Sequence, residues 1–380
     1  MKVTKVVDIV TKDDQETFDI PELEGQEAPF AYHINYLNHG YAKFKIDDKS
    51  IKVYEEHLGK IDDSMSRKQI YNIFYDMLQD QEIAGAWLLK ICKSQLQNET
   101  DADVIADSFR STIPAVIKKH IPLEAYAECH RGIFELILDG ILTNGGINDN
   151  ATRHLVLTAL LSSCRNEDHF EMLVKWFKDG FITNSSGKKL EDVEVSLKHK
   201  HAIVQRIWAA EKISLEQKQE VLAELTKMDK SDWLDDTNKL CESSHPANKE
   251  KMWKMYFSTD PDNELKDWGL YSYHNSFRGW NQVQHREYTE KFEDEFFEKI
   301  ADIIKTKGRY VAEAYYYLLQ PTNKTDAAAI KRFQDLLDKT LKDDKDNTFF
   351  INLLKDSISG LETQQKGQAL SREYLASEKS

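Results

Sequence analysis

The stretch Ser276-Phe-Arg-Gly-Trp-Asn-Gln-Val-Gln-His-Arg-Glu-Tyr288 joins an aromatic-rich segment to a region that runs on to Phe297 with the pattern of a helix. Gly279 and Asn281 are residues typical of turns. Apolar side chains then recur at every fourth position, at Tyr288, Phe292, Phe296 and Ile300. Because positions four apart lie on the same face of an α-helix, the stretch predicts a turn followed by a helix with one buried face.

Four aromatic residues in and before this stretch are expected to pack near one another where the late helices turn. They are Trp253, Trp268, Phe277 and Trp280. Aromatic side chains contribute large buried areas to protein cores. We therefore interpret the four as a structural cluster, with a ligand-binding groove as the alternative.

The first 47 residues have apolar side chains at a period of two, which is typical of strands. One predicted strand face carries Phe30, Tyr32, Ile34 and Tyr36, and the next carries Ala42, Phe44 and Ile46. Asn38-His-Gly40 is a plausible hairpin connection between them. Earlier apolar runs, 3–10 and 18–20, would complete a sheet of about four strands.

After Ser50 the spacing of apolar residues changes to that of a helix and remains so to the end of the chain. We therefore place a domain boundary between residues 1–47 and 48–380. Clear apolar stripes include Ile70, Ile73, Phe74, Met77 and Leu78, and later Phe350, Leu353, Leu354 and Ile358. Ser214-Leu-Glu-Gln217 has the pattern of a capping box. Short helices joined by short loops form antiparallel pairs, so the pattern predicts a mostly α fold, a curved stack of about fifteen helices.

Composition excludes several classes of function. The net charge of -14 and the pI near 5.4 would repel a phosphate backbone, so no nucleic-acid partner is expected. No apolar run reaches the length of a membrane span, and charges interrupt the first residues too early for a secretion signal, so we expect no membrane partner and a cytoplasmic protein. The four cysteines, Cys92, Cys129, Cys164 and Cys241, are far apart and are expected to be reduced structural thiols.

Catalytic motifs are not found in the sequence. No His-Glu dipeptide occurs, so the zinc-protease helix with two histidines one turn apart is missing. Lys198-His-Lys-His201 places its imidazoles on different sides of a helix, which favours a solvated basic face over a metal site. There is also no nucleophile elbow, phosphate-binding glycine loop or dinucleotide fingerprint. The residues therefore predict a protein that is not an enzyme and needs no cofactor or metal.

The order of several weak motifs resembles the zinc aminopeptidases of the aminopeptidase N type, and specifically their endoplasmic-reticulum aminopeptidase-like C-terminal domain. These motifs are, in chain order, Leu37-Asn-His-Gly-Tyr-Ala-Lys-Phe44, Arg67 to Asp76-Met77, Leu138-Asp-Gly140, Ala247-Asn-Lys-Glu-Lys-Met-Trp253, Gly279-Trp-Asn-Gln282 to Phe296-Phe297, Gly308-Arg-Tyr-Val-Ala-Glu-Ala-Tyr315 and Leu319-Gln-Pro321. The resemblance covers nearly the whole chain. Val283 and His285 depart from it, because bacterial relatives usually carry Pro and Gln there.

The resemblance implies a HEAT-like helical cap, an α-solenoid that closes over the catalytic domain in complete family members and limits substrate size. It also implies that residues 1–47 are the later strands of a small β-sandwich. The family's zinc-binding and exopeptidase motifs lie upstream of the matched region, so no catalytic residue is carried over to this sequence.

Three interpretations follow. In the first, the chain is a catalytically inactive relative, a pseudoenzyme that serves as a structural or protein-interaction subunit of a larger assembly. In the second, it caps the substrate cavity of an active zinc aminopeptidase whose catalytic domain is on another chain. In the third, it is an unrelated helical adaptor. Because strands without neighbours expose an edge and an apolar face, we expect a protein partner to cover the N-terminal sheet at Phe30, Tyr32, Ile34 and Tyr36. The alternative is that the first strands fold back onto the helices.

Overall fold

The computed structural model describes residues 1–10, 17, 19–143, 147, 149–260, 262–321 and 324–379, and the side chain of residue 192 is not described. The predicted mostly α architecture is confirmed. The helices in these ranges are α1 (Asp48–His57), α2 (Ser64–Gln79), α3 (Gly85–Leu96), α4 (Ala102–Asp107), α5 (Ile113–His120), α6 (Leu123–Glu135), α7 (Asn150–Ser163), α8 (Glu167–Asp179), α9 (Leu197–Ala209), α10 (Leu215–Met228), α11 (Asp232–Ser244), α12 (Lys249–Tyr256), α13 (Leu270–Trp280), α14 (Arg286–Thr289), α15 (Glu293–Thr306), α16 (Arg309–Leu319), α17 (Ala327–Asp343) and α18 (Thr348–Ser377). Helices adjacent in sequence pack together, such as α8 with α9 and α17 with α18, and so do alternate helices, such as α9 with α11 and α11 with α13.

Side chains at the helix starts explain where several helices begin. The Asp47 carboxylate accepts hydrogen bonds from the backbone N–H groups of Lys49 and Ser50, and thereby caps α1. The capping box predicted at Ser214 and Gln217 is confirmed at the start of α10. Between α4 and α5 the helix continues as a π-turn, Ser108–Thr112, just before Pro114, whose nitrogen has no proton to donate to the preceding turn.

The strands predicted within residues 1–47 are not present in the described part of this segment, and this is a correction. The segment instead has 3-10 turns at Pro21–Leu23 and Tyr36–Asn38. The backbone of Asn35, Leu37 and Asn38 has positive φ, so a continuous extended strand cannot pass through these residues. Phe18 lies outside the described residues.

The segment lies on the first two helices, and three of its backbone polar groups are bonded to their side chains. The Tyr32 N–H donates to Ser50 Oγ (2.8 Å), and the Tyr54 hydroxyl donates to the Tyr32 carbonyl (3.0 Å). Gln69 Nε2 of α2 donates to the carbonyl of Asn35 (3.2 Å). Hydrogen bonds to helix side chains therefore take the place of the predicted strand ladder.

One short hairpin interrupts the helices, although the periodicity after Ser50 predicts helices alone. Strand β1 (Phe181–Thr183) pairs antiparallel with β2 (Lys189–Glu194). In the turn, Asn184 Oδ1 accepts from the backbone N–H groups of Ser186 and Lys188, and Gly187 has φ +82°. A positive φ favours glycine, so the residue types of Asn184-Ser-Ser-Gly187 suit a turn. The two strands beside this turn were not predicted from the sequence.

The described side chains form two apolar clusters. The first extends along the chain from Ile46 to Cys241, and the second from Met252 to Leu361. The residues between Cys241 and Met252 are where the two clusters meet. Helix α18 joins both, since Leu361 belongs to the second cluster whereas Tyr374 and Leu375 pack against the first.

Gly279 lies inside α13 and not in a turn, which corrects the prediction. A Cβ atom there would lie 2.2 Å from Ser243 Oγ and 2.5 Å from the Leu240 carbonyl oxygen of α11. Only a residue without a side chain allows the two helices to approach this closely. The glycine is therefore explained by a helix crossing.

Candidate functional site

Lys249 is buried where the two apolar clusters meet. Its Nζ donates to the carbonyl oxygens of Ser243 (2.8 Å), Gly279 (2.7 Å) and Trp280 (2.9 Å). These carbonyls belong to the last turns of α11 and α13, where they lack partners within the helix and carry the negative end of the helix dipole. Burial lowers the pKa of Lys249, whereas the three carbonyls favour the ammonium form because it alone has three protons to donate.

Lys218 and His285 bind the end of α9 in the same way. Lys218 Nζ donates to the Ala210 carbonyl (2.5 Å), and His285 Nε2 donates to the Ala209 carbonyl (2.8 Å). Burial lowers the pKa of Lys218 to about 8 and that of His285 to about 3, so the imidazole is neutral at physiological pH. We name Lys218, Lys249 and His285 the polar junction. Because its donors hold the ends of three helices, it is a structural centre.

The aromatic cluster lies beside the polar junction. The ring centroids of Trp253 and Trp280 are 4.8 Å apart, and those of Tyr256 and Phe277 are 4.6 Å apart. Trp280 Nε1 donates to the carbonyl of Lys249 (2.7 Å), so the indole also fixes the start of α12. The structure thus brings Trp253, Phe277 and Trp280 together in the core.

Trp268 lies at the edge of this group. It is half-buried and its ring is 5.6 Å from that of Tyr273, which in turn lies 5.7 Å from Phe277. Lys239 Nζ lies 5.7 Å from the indole centroid. The cluster predicted from the sequence is therefore a core of three rings with Trp268 linked to it through Tyr273.

His201 forms a hydrogen-bonded chain that has the composition of a catalytic triad. Its Nε2 lies 2.8 Å from Asp229 Oδ2, and its Nδ1 lies 2.8 Å from Thr237 Oγ1. The Thr237 hydroxyl is fully buried and is also within 3.1 Å of Gln205 Nε2, so no substrate can reach it. The chain is structural. The solvated basic face predicted for His199 and His201 is wrong, because both imidazoles are buried.

The residues predicted to bind a partner lie on the outer side of the N-terminal segment. Phe30 is 83% exposed, Tyr32 44% and Ile34 38%, whereas Tyr36 is partly buried with its ring 5.5 Å from that of His33. Leu37 and Tyr41, further along the same segment, are also exposed. We name Phe30, Tyr32, Ile34, Leu37 and Tyr41 the N-terminal apolar surface. It exposes apolar side chains from a backbone that is attached to α1 and α2.

The described residues include no group of three or more His, Cys, Asp or Glu side chains with the geometry of a metal site. Cys92, Cys164 and Cys241 are buried free thiols, and Cys129 is a partly buried one. No helix in the described ranges has both the length and the apolar character that crossing a bilayer requires.

Sequence reasoning missed the polar junction. Lys218 and Lys249 lie among polar neighbours in the sequence, in Gln217-Lys-Gln219 and Asn248-Lys-Glu250, and carry no apolar context that would predict burial. The only available signal was the helix pattern itself, which places Lys218 on the same face as Val221 and Leu225.

Comparison with known proteins adds two findings. The family profile of the ERAP1-like C-terminal domain matches residues 31–362. The chain is also similar to the aminopeptidase N of Streptomyces lividans, with 22% identity over 364 residues. That alignment covers 94% of this chain and 39% of the relative, so the chain spans well under half of the length of the protein it matches.

Proposed function

Since the chain belongs to the ERAP1-like C-terminal domain family, we propose that it is a non-catalytic structural or protein-interaction subunit that docks onto another folded protein through the N-terminal apolar surface. The observation that carries this proposal is the exposure of Phe30, Tyr32 and Tyr41 on a segment whose backbone is hydrogen-bonded to α1 and α2. Exposed apolar side chains that lie close together are characteristic of interaction surfaces.

The surroundings of this surface fit a protein interface. Lys43 and Lys45 lie next to it in sequence and pair with Asp80 and Glu82 of the α2–α3 connection. An apolar centre with a charged rim is the usual arrangement of interfaces between proteins. The partner is accordingly a folded protein with an apolar patch, and aromatic side chains such as Phe30 and Tyr41 are the expected anchors.

A second candidate is that the chain caps the substrate cavity of an active zinc aminopeptidase whose catalytic domain is on another chain. The alignment of nearly all of this chain with part of an aminopeptidase N favours it. Both candidates use the same docking surface, and they differ in whether the partner is a peptidase.

Two measurements test the proposal. Purified chain is expected to hold less than stoichiometric zinc and to cleave no aminoacyl-coumarin substrate, because the described residues offer no ligand set that would activate a water. One tightly held zinc per chain together with chelator-sensitive hydrolysis would contradict the non-catalytic role. Gel filtration of native extract separates the candidates, since the subunit role predicts a large assembly without peptidase activity and the cap role predicts comigration with that activity.

A further inference from the structure

Arg206 lies in the last turn of α9, partly buried, with no acid beside it. Its guanidinium group makes no hydrogen bond or ion pair with any residue in the described ranges. Its neighbours are the Cys164 thiol, the Tyr126 hydroxyl and a second arginine, Arg165. Burial, and then Arg165, lower the pKa of Arg206 to about 9, so the group stays charged at neutral pH.

The second guanidinium comes from the junction of α7 and α8. Arg165 Nη1 donates to the Cys164 carbonyl (2.9 Å), and this is the one hydrogen bond that the Arg165 side chain makes among the described residues. Asn166 Nδ2 donates to the Ala127 carbonyl (3.4 Å), which holds the junction against α6. The four remaining donor positions of Arg165 are therefore available.

His130 of α6 completes the group. It is 8% exposed, and neither of its ring nitrogens has a hydrogen-bond partner. Tyr126 packs edge-on against the imidazole at 4.4 Å, and both arginines lie within electrostatic reach of it. Burial keeps this imidazole neutral, so it offers one N–H donor.

Acids near this group are bound elsewhere. The Asp168 carboxylate pairs with Arg131 (2.6 Å), and both Glu167 oxygens accept from the backbone N–H groups of Glu211 and Lys212 (2.9 and 3.0 Å). Arg165 and Arg206 thus lie within electrostatic reach of each other and of His130, and no acid is paired with either arginine among the described residues, in a protein of net charge -14. Partly buried unpaired charges of like sign are costly, and a bound anion removes that cost.

We propose that Arg165, Arg206 and His130 form a binding site for a doubly charged oxyanion of the phosphate type, between α6, α9 and the α7–α8 junction. Guanidinium groups bind phosphate oxygens through paired N–H donors, and two of them balance a dianion. The neutral imidazole supplies a further donor. The oxyanion is either free phosphate or the phosphoryl group of a larger molecule.

Thermal unfolding in different anions tests this site. At constant ionic strength, inorganic phosphate is expected to raise Tm by about 2 to 4 °C at saturation, whereas chloride and acetate do not. Arg206→Gln and, separately, Arg165→Gln should abolish the phosphate-dependent shift. Arg131→Gln is the matched control and should keep it, because its guanidinium is already paired with Asp168.

The readout is the change in Tm with phosphate, so a variant that is less stable in itself still reports on the site. Phenyl phosphate distinguishes the two sources, since an equal shift indicates recognition of a phosphoryl group and a shift with inorganic phosphate alone indicates a site closed around the free ion. The proposal is overturned if chloride or acetate stabilises as much as phosphate, or if Arg165→Gln and Arg206→Gln both keep the shift.

Discussion

Gly367 of α18 lies so close to His120 of α5 that a Cβ atom at position 367 would fall 2.3 Å from the imidazole Nδ1. A Cβ at Gly85 of α3 would likewise lie 2.6 Å from the His120 Cβ. Nearby, Ser371 Oγ accepts from the Ala86 N–H (3.2 Å). Two glycines therefore let the last helix pack directly on early ones.

Replacing Gly367 by Ala is expected to lower the free energy of unfolding by about 1 to 3 kcal/mol, because the new methyl group must displace a buried imidazole. Gly360→Ala is the matched control in the same helix. A Cβ at Gly360 meets nothing within 4 Å, so this change should stabilise by up to about 1 kcal/mol through helix propensity. Urea denaturation measures both, and equal stability of the two variants would contradict the packing described for α18.

The stability of the chain is expected to fall below pH 6.5. Burial lowers the pKa of His120 to about 4, with a smaller effect of Lys119 in the same direction. Between pH 6.5 and 4 the unfolded chain binds a proton at this position and the folded chain does not, so unfolding becomes more favourable as the pH falls. Protonation of His120 alone is expected to lower the free energy of unfolding by roughly 2 kcal/mol between pH 7 and pH 5.

Urea denaturation at several pH values, with His120→Asn, isolates this contribution. The variant should be less stable at pH 7 but should lose less stability on acidification. His39→Asn, at an exposed histidine, is the control and should keep the wild-type slope. His130, His169, His199 and His285 add losses of the same sign, because burial lowers the pKa of each. If the free energy of unfolding of His120→Asn changes with pH as steeply as that of the wild type, the result would count against burial of a neutral His120.

Lys249→Met is expected to destabilise by about 3 to 5 kcal/mol, since it leaves the carbonyls of Ser243, Gly279 and Trp280 buried without a donor. Lys254→Met in the same helix is the control. Its ion pair with Glu250 is exposed to solvent, so this replacement should change the stability little. Similar unfolding midpoints for the two variants would show that the polar junction is not a structural centre.

Trp280→Ala should destabilise by about 3 to 5 kcal/mol, because it removes a buried indole and its hydrogen bond to the Lys249 carbonyl. Trp268→Ala should cost less, since that ring is only half-buried at the edge of the cluster. Differential scanning calorimetry compares them. If Trp280→Ala keeps the wild-type Tm but loses a protein partner, the aromatic cluster is a binding surface instead.

The buried faces of the helices could be predicted from the periodicity of apolar residues. Stripes such as Ile70, Phe74 and Met77 are buried because an apolar face must be covered whatever its neighbours are. The strands predicted around Phe30 and Phe44 failed because a period of two also occurs in an extended segment, whose partners here are side chains of α1 and α2. A sequence pattern reports which side chains alternate, but not what the backbone bonds to.

Contacts distant in the chain were beyond the sequence for a different reason. Glycine is a residue type typical of turns, so position 279 was predicted to be in one. Only the position of Ser243 in the fold shows that Gly279 lies at a crossing of two helices. Likewise, Lys249 and Arg206 are ordinary charged residues in sequence, and their roles arise from carbonyls and side chains that other helices bring to them.

The most direct test of the proposed docking role is the mass of the assembly that contains the tagged chain in its own cells. We predict a stable complex for the wild-type chain that dissociates when Phe30 and Tyr41 are both replaced by Ser, while the purified variant keeps the wild-type Tm. Tyr310→Ser is the matched control, because it changes another strongly exposed aromatic residue, in α16, and should leave the complex intact. A complex that survives the double replacement, or a wild-type chain that sediments as a free monomer, would contradict the account.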